Sequence, residues 1–283
     1  MISVIIPVYN RTNSFRRCLQ SLVNQTFKDF EVIVYDDGSS EDVPSVINEF
    51  IDKINIYYYY GVNSGGPSTP RNIAVQKCNY DIIAFLDSDD IWSDDKLNII
   101  SRKTILHKDI IHHKVSLVSS DGIVKRSIGF DRSSCLFDFL KRGNPIVTSS
   151  VVCRKSFFIE CLGFNANLVV GEDFDLWLRM IQRGGKFRYI SKTLGQNILG
   201  VNNISQDTFG YFLFFQHVRK VFYPFITKKK LGHIDGYFYY LLGSKLLLEG
   251  KKYPAKVFFI RSFMLKPFSL NGFLSFFKLI TTA

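Results

Sequence analysis

The sequence predicts an α/β domain built on a mostly parallel sheet flanked by helices, followed by a helical, basic C-terminal region. Three observations predict it. Short apolar runs alternate with amphipathic stretches four times between residues 3 and 107, the pattern of parallel strands joined by crossover helices. Polar residues gather directly after the apolar runs, at 9–11, 36–39 and 87–90, and such sheets bind ligands outside the C-terminal ends of their strands. Charge is uneven: residues 210–283 hold 12 Lys/Arg against 2 Asp/Glu, whereas residues 1–209 hold 24 against 23. Residues 1–209 therefore read as one ordinary globular domain and 210–283 as a separate basic, aromatic-rich helical region.

In chain order, residues 3–8 (SVIIPV) form a buried strand. Thr12 or Asn13 then caps a helix to about residue 24, with Phe15, Leu19, Leu22 and Val23 on one face. A second strand spans 30–35, and Ser40 with Glu41 and Asp42 opens a helix to about 51. A third strand covers 54–60. After a glycine-rich loop, Thr69 and Pro70 read as N-cap and first helical residue of a helix to about 78. The run 82–86 (IIAFL) suits a strand buried on both faces, and a helix follows from about 94 to 107. Further on, 114–118 and 149–154 look like strands and 136–141 like a short helix. Trp177, Leu178 and Ile181 mark a helix over 173–183, closed by Gly184 and Gly185. Beyond Phe209, aromatic and basic residues recur at helical intervals.

Composition excludes several classes. Of 283 residues, 46% are hydrophobic and 22% charged, enough for a real core. No basic stretch leads an apolar segment, so no secretory signal is expected, and no apolar window is long enough to span a bilayer. The cysteines Cys18, Cys78, Cys135, Cys153 and Cys161 are scattered and odd in number, which disfavours a disulfide framework or zinc site and fits a reducing cytosol. Gly38 and the Asn63–Ser64–Gly65–Gly66 segment are not a dinucleotide fingerprint or a Walker loop; turn geometry suffices for them.

Two acidic clusters carry chemistry. Asp87, Ser88, Asp89 and Asp90 follow the buried run 82–86. Three carboxylates there are costly unless a cation sits among them. Hard ions such as Mg²⁺ or Mn²⁺ take carboxylate oxygen, although a solvated acidic loop capping the next helix would also fit. Glu172 and Asp173 open the helix at 173, where the helix dipole alone favours acids.

Taken together, SVIIPVYNR, VIVYDDGSS, NSGGPSTPRNIA, FLDSDDIW and GEDFDLWLR, in this order and spacing, strongly resemble family 2 glycosyltransferases of the GT-A fold, from Ser3 to about Ile190. The resemblance implies a Rossmann-like domain that moves one sugar from a nucleotide-diphosphate donor, a UDP-sugar, to a glycan or lipid-linked acceptor with inversion. It places Pro7 and Tyr9 beside the base, Asp37 in a hydrogen bond to the base with Asp36 next to it, and Arg71 on the nucleotide. Asp87 and Asp89 match the family's D-x-D, with Ser88 between them. Asp89 would hold Mg²⁺ or Mn²⁺, and Asp87 ribose or the metal's water. Asp173 would be the catalytic base, with Glu172 as its neighbour in the role. There are departures. Gly200 precedes Val201, Asn202, Asn203, Ile204 and Ser205 where some relatives carry a metal-reaching His. No Q-x-x-R-W motif follows Asp173, since Gln182–Arg183 is only a fragment. Both the missing motif and the lack of spans argue against a processive polysaccharide synthase.

Two other classes compete. A sugar nucleotidyltransferase would carry a Gly-rich loop where Tyr9, Asn10, Arg11, Thr12 and Asn13 stand. A non-catalytic carbohydrate-binding module would not need Asp87, Asp89 and Asp173. The basic tail lacks any nucleic-acid recognition fold, so no nucleic acid is expected as a partner. Tyr237, Phe238, Tyr240, Leu241, Phe258, Phe259, Phe263, Phe273, Phe276 and Phe277 recur among Lys251, Lys252, Lys256, Arg261 and Lys278. They predict helices that dock on the catalytic domain and rest on the anionic cytoplasmic face of the cell membrane, the alternative being aromatics that only pack on the domain with solvated lysines outside.

Overall fold

The computed structural model describes residues 1–119, 122–129, 135–144, 146–199 and 207–281. The departure noted at Gly200 to Ser205 lies outside these residues. The described chain falls into two compact units. The first comprises 1–134, 145–167 and 172–201, and the second 135–144, 168–171 and 202–283.

The first unit is built on a nine-stranded sheet, whose path runs β3-β2-β1-β4-β8-β6-β9-β5 with β7 paired to β6. The strands are β1 (Ile2–Val8), β2 (Phe30–Asp36), β3 (Ile56–Tyr60), β4 (Ile82–Phe85), β5 (Ile91–Trp92), β6 (Asp109–Ser119), β7 (Val124–Ile128), β8 (Val152–Arg154) and β9 (Lys186–Leu199). The first four are parallel to one another, as expected. Beyond them the sheet is mixed: β8 runs antiparallel to both β4 and β6, while β6 and β9 are parallel.

The apolar runs of β1 and β2 are continuous because both sheet faces are covered. On one face Val4, Ile6, Val32 and Val34 meet Phe15, Leu19 and Leu22 of α1 (Thr12–Val23), all fully buried. On the other, Phe85 packs beside Phe158 and Phe164 at ring-centroid distances of 5.6 and 5.3 Å. Phe164 in turn abuts Trp177 at 6.3 Å.

Several expected boundaries move, each for a local reason. Neither Thr12 nor Asn13 caps α1. Thr12 is its first residue, and its N–H and hydroxyl donate to the Glu41 carboxylate at 2.8 and 2.6 Å. In α2 (Val43–Asn48) the cap is Asp42, which accepts from the Ser45 N–H at 3.0 Å. Helix α3 (Ser68–Lys77) opens after Pro67, leaving Pro70 in the first turn, where a missing N–H costs nothing. The helix expected over 94–107 shrinks to α4 (Lys96–Ser101). Ile91 and Trp92 instead pair with β9, and beyond Ser101 only Ile105 is buried before Asp109. The strand expected over 149–154 is a 3-10 turn, Thr148–Ser150, followed by β8. Strand β6 extends well beyond 114–118, and β9 follows α7 (Glu172–Gln182), which is preceded by α5 (Leu136–Arg142) and α6 (Lys155–Glu160). Helix α7 ends as expected. Gly184 takes φ +81°, and the Gly185 N–H reaches back to the Met180 carbonyl at 2.8 Å.

The second unit is helical: α5, then α8 (Thr208–Val221), α9 (Lys228–Leu248), α10 (Lys252–Leu265) and α11 (Leu270–Thr281). Its centre is Phe238, stacked on Phe215 at 4.4 Å and flanked by Tyr211 and Phe214. Of the tail aromatics, Phe238 and Phe259 are fully buried, whereas Phe273, Phe276 and Phe277 are exposed. Among the described residues no helix is long and apolar enough to cross a membrane.

Candidate active site

The site is assembled at the C-terminal ends of β1, β2 and β4. After β1 the chain turns sharply at Asn10, whose φ of +48° suits a short polar side chain. Its N–H donates to Ser39 Oγ at 3.0 Å, and its Oδ1 accepts from the Ser40 N–H at 2.8 Å. The loops after β1 and β2 are thereby laced together. Pro7, next to last in β1, is half-buried, and Tyr9 stands 47% exposed at the rim.

Asp36 and Asp37 are both buried but differ in use. Asp36 accepts from the Ser39 N–H at 2.8 Å and the Tyr58 hydroxyl at 2.9 Å, so both its oxygens are held by the protein. Asp37 accepts from the Ser64 N–H and hydroxyl at 3.1 and 3.0 Å. Burial pushes its carboxyl above the usual range, partly offset by the Ser64 bonds. Between this pair and the 61–66 loop lies Gly38 at φ +80°, where a Cβ would stand 2.7 Å from the Asn63 nitrogen. The glycine is required by both conformation and space.

The three carboxylates after β4 separate. Asp87 accepts from Arg71 Nη2 at 2.5 Å, and its backbone N–H donates to Ser149 Oγ at 3.0 Å. Asp89 pairs with the Arg11 guanidinium. Asp90 turns inward and accepts from Asn197 Nδ2 at 2.9 Å and the Ile198 N–H at 3.1 Å, fastening the loop to β9. Burial and then the field of Asp87 raise the Asp90 carboxyl to about 7. Ser88 is buried between them. Beneath lies Lys96, fully buried, its Nζ 2.8 Å from the Ser149 carbonyl and over the Trp92 ring. Desolvation holds its pKa well below the ordinary lysine value.

Arg71 joins this loop to the second acidic cluster. Only 4% exposed, it reaches Asp87 with Nη2 and Glu172 Oε1 with Nη1, the latter at 3.1 Å. Burial pulls its pKa down, but the fields of Asp87, Glu172 and Asp173 outweigh this, and the net shift is upward. Asp173 follows Glu172 in the first turn of α7. Its Oδ2 accepts from Thr148 Oγ1 at 3.4 Å, and its Oδ1 from the Phe174 N–H at 2.6 Å. Asp175, in the same turn, is buried and serves structure: Arg179 bridges it to the carbonyls of Cys161 and Gly163.

The structure thus brings Arg71, Asp87, Glu172 and Asp173 into one electrostatic group, with Asp89 two residues from Asp87. Pro7, Tyr9, Asp36 and Asp37 line the neighbouring strand ends. Nothing in the sequence marks Asn10, Arg11, Ser64, Thr148 or Ser149 as supports of the site. Their partners lie from 25 to 78 residues away, as for Thr148 with Asp173 and Arg11 with Asp89.

Among the described residues no three His, Cys, Asp or Glu side chains form a metal cage. Asp87 and Asp89 nevertheless fit a hard divalent ion. Both are partly exposed carboxylates, and each already faces a cationic side chain. Mg²⁺ and Mn²⁺ commonly take one or two protein carboxylates and complete their shell with phosphate and water.

An α/β sheet with acidic loops at its strand ends defines a GT-A-type domain. The chain belongs to glycosyltransferase family 2: the model "Glycosyl transferase family group 2" matches residues 82–247, and "Glycosyl transferase family 2" matches 3–112. An uncharacterized glycosyltransferase of Rickettsia bellii is 35% identical over 197 residues, covering 68% of this chain and 28% of that protein. A poly(ribitol-phosphate) beta-glucosyltransferase of Bacillus spizizenii is 36% identical over 129 residues, 44% of this chain and 20% of its own length. The chain therefore spans about a third or less of these curated relatives. The crystal structure of S. aureus TarS 1-349 in complex with UDP-GlcNAc shares the fold. Its TM-score is 0.64 at 18% identity, over 99% of this chain and 88% of that one.

Proposed function

We propose that the chain transfers a single sugar from a UDP-linked donor to a hydroxyl of a cell-surface glycan, with inversion at the anomeric carbon. The observation that carries this is the meeting of two acidic motifs, Asp87 to Asp89 after β4 and Glu172–Asp173 on α7, around the buried Arg71. Support comes from the UDP-GlcNAc bound by the TarS neighbour and from the glucosyl-transferring Bacillus relative. Asp37, Pro7 and Tyr9 are assigned to the base, with Asp36 holding the loop beneath them. Asp87 and Ser88 are assigned to the donor, and Asp89, with Asp87, to Mg²⁺ or Mn²⁺. The metal would neutralise charge developing on the diphosphate without a proton.

Asp173 is assigned as general base. An acceptor hydroxyl is a weak nucleophile until a placed carboxylate takes its proton. The hydroxyl oxygen bonds to the anomeric carbon from the face opposite the leaving group. The carbon–oxygen bond to the diphosphate breaks with its electron pair, and the proton passes to Asp173. Residues 1–209 are assigned to this catalysis. Residues 210–283, with their excess of basic side chains, are assigned to a membrane surface that carries a lipid-linked acceptor.

The test is product analysis of the full chain with Mn²⁺. UDP released from UDP-GlcNAc or UDP-glucose, rising with added polyol-phosphate or lipid-linked acceptor, supports transfer. Pyrophosphate released from UTP and a sugar phosphate would instead identify a nucleotidyltransferase.

A further inference from the structure

Both terminal nitrogens of Arg71 are engaged by carboxylates. Nη2 lies 2.5 Å from Asp87 and Nη1 3.1 Å from Glu172, and the guanidinium stacks over the Phe164 ring at 5.1 Å. Phe164 is itself fixed among Phe85, Phe158 and Trp177. Nε is buried without a hydrogen bond among the described residues. The side chain is therefore oriented by its two carboxylates and one ring, and these belong to three separate stretches of chain. A planar fork is the side chain suited to this, since it spans two acceptors in a fixed geometry, which a lysine ammonium cannot do.

We propose that Arg71 is a positioning residue that couples the donor-side carboxylate Asp87 to the base-side pair Glu172–Asp173. The inference rests on the proposed glycosyl transfer. Glu172 then serves as the second anchor of the fork, and the base role falls to Asp173 alone. Because the guanidinium is shared between two carboxylates, whatever happens at Glu172 is felt at Asp87. Neutralising Glu172 leaves the arginine to Asp87 alone and makes that carboxylate a poorer partner for a cation and its diphosphate. Arg71 is the side chain that contacts both Glu172 and Asp87, and so provides the route for such an effect.

The experiment is calorimetric titration of the full chain with UDP in the presence of Mn²⁺. It compares wild type, Glu172→Gln, Arg71→Met, Arg71→Lys and the combinations of Glu172→Gln with each Arg71 variant. Thermal unfolding identifies the folded variants, and Arg71→Lys serves where Arg71→Met does not fold. Glu172→Gln is expected to weaken UDP binding threefold or more in wild type and to have no further effect once Arg71 is replaced. A loss of the same size in both backgrounds, or no loss in wild type, overturns the coupling while leaving the donor assignment intact. A wild-type chain that binds no UDP overturns the donor assignment and this inference together. A purely structural role for Arg71 would lower the unfolding temperature without making the effect of Glu172→Gln on UDP affinity depend on residue 71.

Discussion

Asp89 lies two residues beyond Asp87 yet faces a different cation, Arg11 in place of Arg71. Arg11 is 40% exposed and can leave, whereas Arg71 is nearly enclosed. A divalent ion entering with its nucleotide therefore competes with a mobile side chain at Asp89. Asp89→Asn should abolish Mn²⁺-dependent UDP binding and leave the unfolding temperature almost unchanged, because partly exposed charges contribute little to stability. Transfer that continues undiminished in EDTA would refute the metal assignment. Asp173 sits one residue along α7 from Glu172, whose carboxylate is already paired. Asp173→Asn should lower turnover by roughly two to four orders of magnitude with donor affinity nearly unchanged, as read by steady-state kinetics beside UDP calorimetry. Near-normal turnover would transfer the base role to Glu172. These acids were visible in sequence because carboxylates at strand and helix ends are conspicuous. Which acid is spent on structure was not, since Asp36 and Asp90 look like their neighbours until Tyr58 and Asn197 arrive from elsewhere in the chain.

At the scale of elements, strands β1, β2 and β4 were legible because a strand buried on both faces reads as an unbroken apolar run. Strand β9 was not, since Ser191, Lys192, Thr193, Gly195, Gln196 and Asn197 break the apolar period of its second half. Nor was the full length of β6, because His112 and His113 interrupt its apolar character while lying fully buried. His112 pairs in register with Tyr189 of β9, their rings 5.2 Å apart, and its Nδ1 has no hydrogen-bond partner among the described residues. Desolvation lowers its pKa from 6.5 to about 4. Between those values the unfolded chain binds a proton that the folded chain refuses, so stability falls as pH drops through that window. Above it His112 has no pH effect. The full loss is at most about 3 kcal/mol, one pKa unit being about 1.4. His112→Phe should keep the ring packing and lessen the fall in urea-unfolding stability between pH 7 and pH 4.5, the rest coming from His113, which its own burial also pushes down. An unchanged slope would show that His112 does not cause it. Gly38→Ala tests a second local device. A Cβ 2.7 Å from the Asn63 nitrogen at φ +80° should cost about 1–3 kcal/mol and weaken UDP binding by displacing Asp37, both measurable in one thermal-shift series with and without UDP.

At the scale of the molecule, the helical recurrence of aromatic and basic residues marked the C-terminal region as helical, as α8 to α11 are, but composition cannot say which aromatics face inward. In α11 the distribution is inverted. Gly272 and Ser275 are its buried residues, and a Cβ at Gly272 would meet the Lys266 carbonyl at 2.0 Å. Phe273, Phe276, Phe277 and Ile280 point outward. The last turns of α10 add exposed Met264 and Leu265, and the connecting Phe268 is fully exposed. Large apolar side chains outside and small ones inside is the reverse of a helix folded for water. Exposed Lys251, Lys252, Arg261 and Lys278 lie in the same two helices or at their ends, and anionic lipid contributes about 1 kcal/mol per nearby basic residue. The full chain should therefore sediment with vesicles containing phosphatidylglycerol at low salt. Replacing Phe273, Phe276 and Phe277 together by Gln should release it at any salt, whereas replacing Lys251, Lys252 and Lys278 by Gln should weaken the salt-sensitive part alone. The aromatic change removes rings that are about half exposed and the Phe263–Phe276 contact, so the unfolding temperature should fall only modestly. A wild-type chain that stays in the supernatant at low salt, or an aromatic variant that still sediments, would mean that the α11 face does not bind lipid.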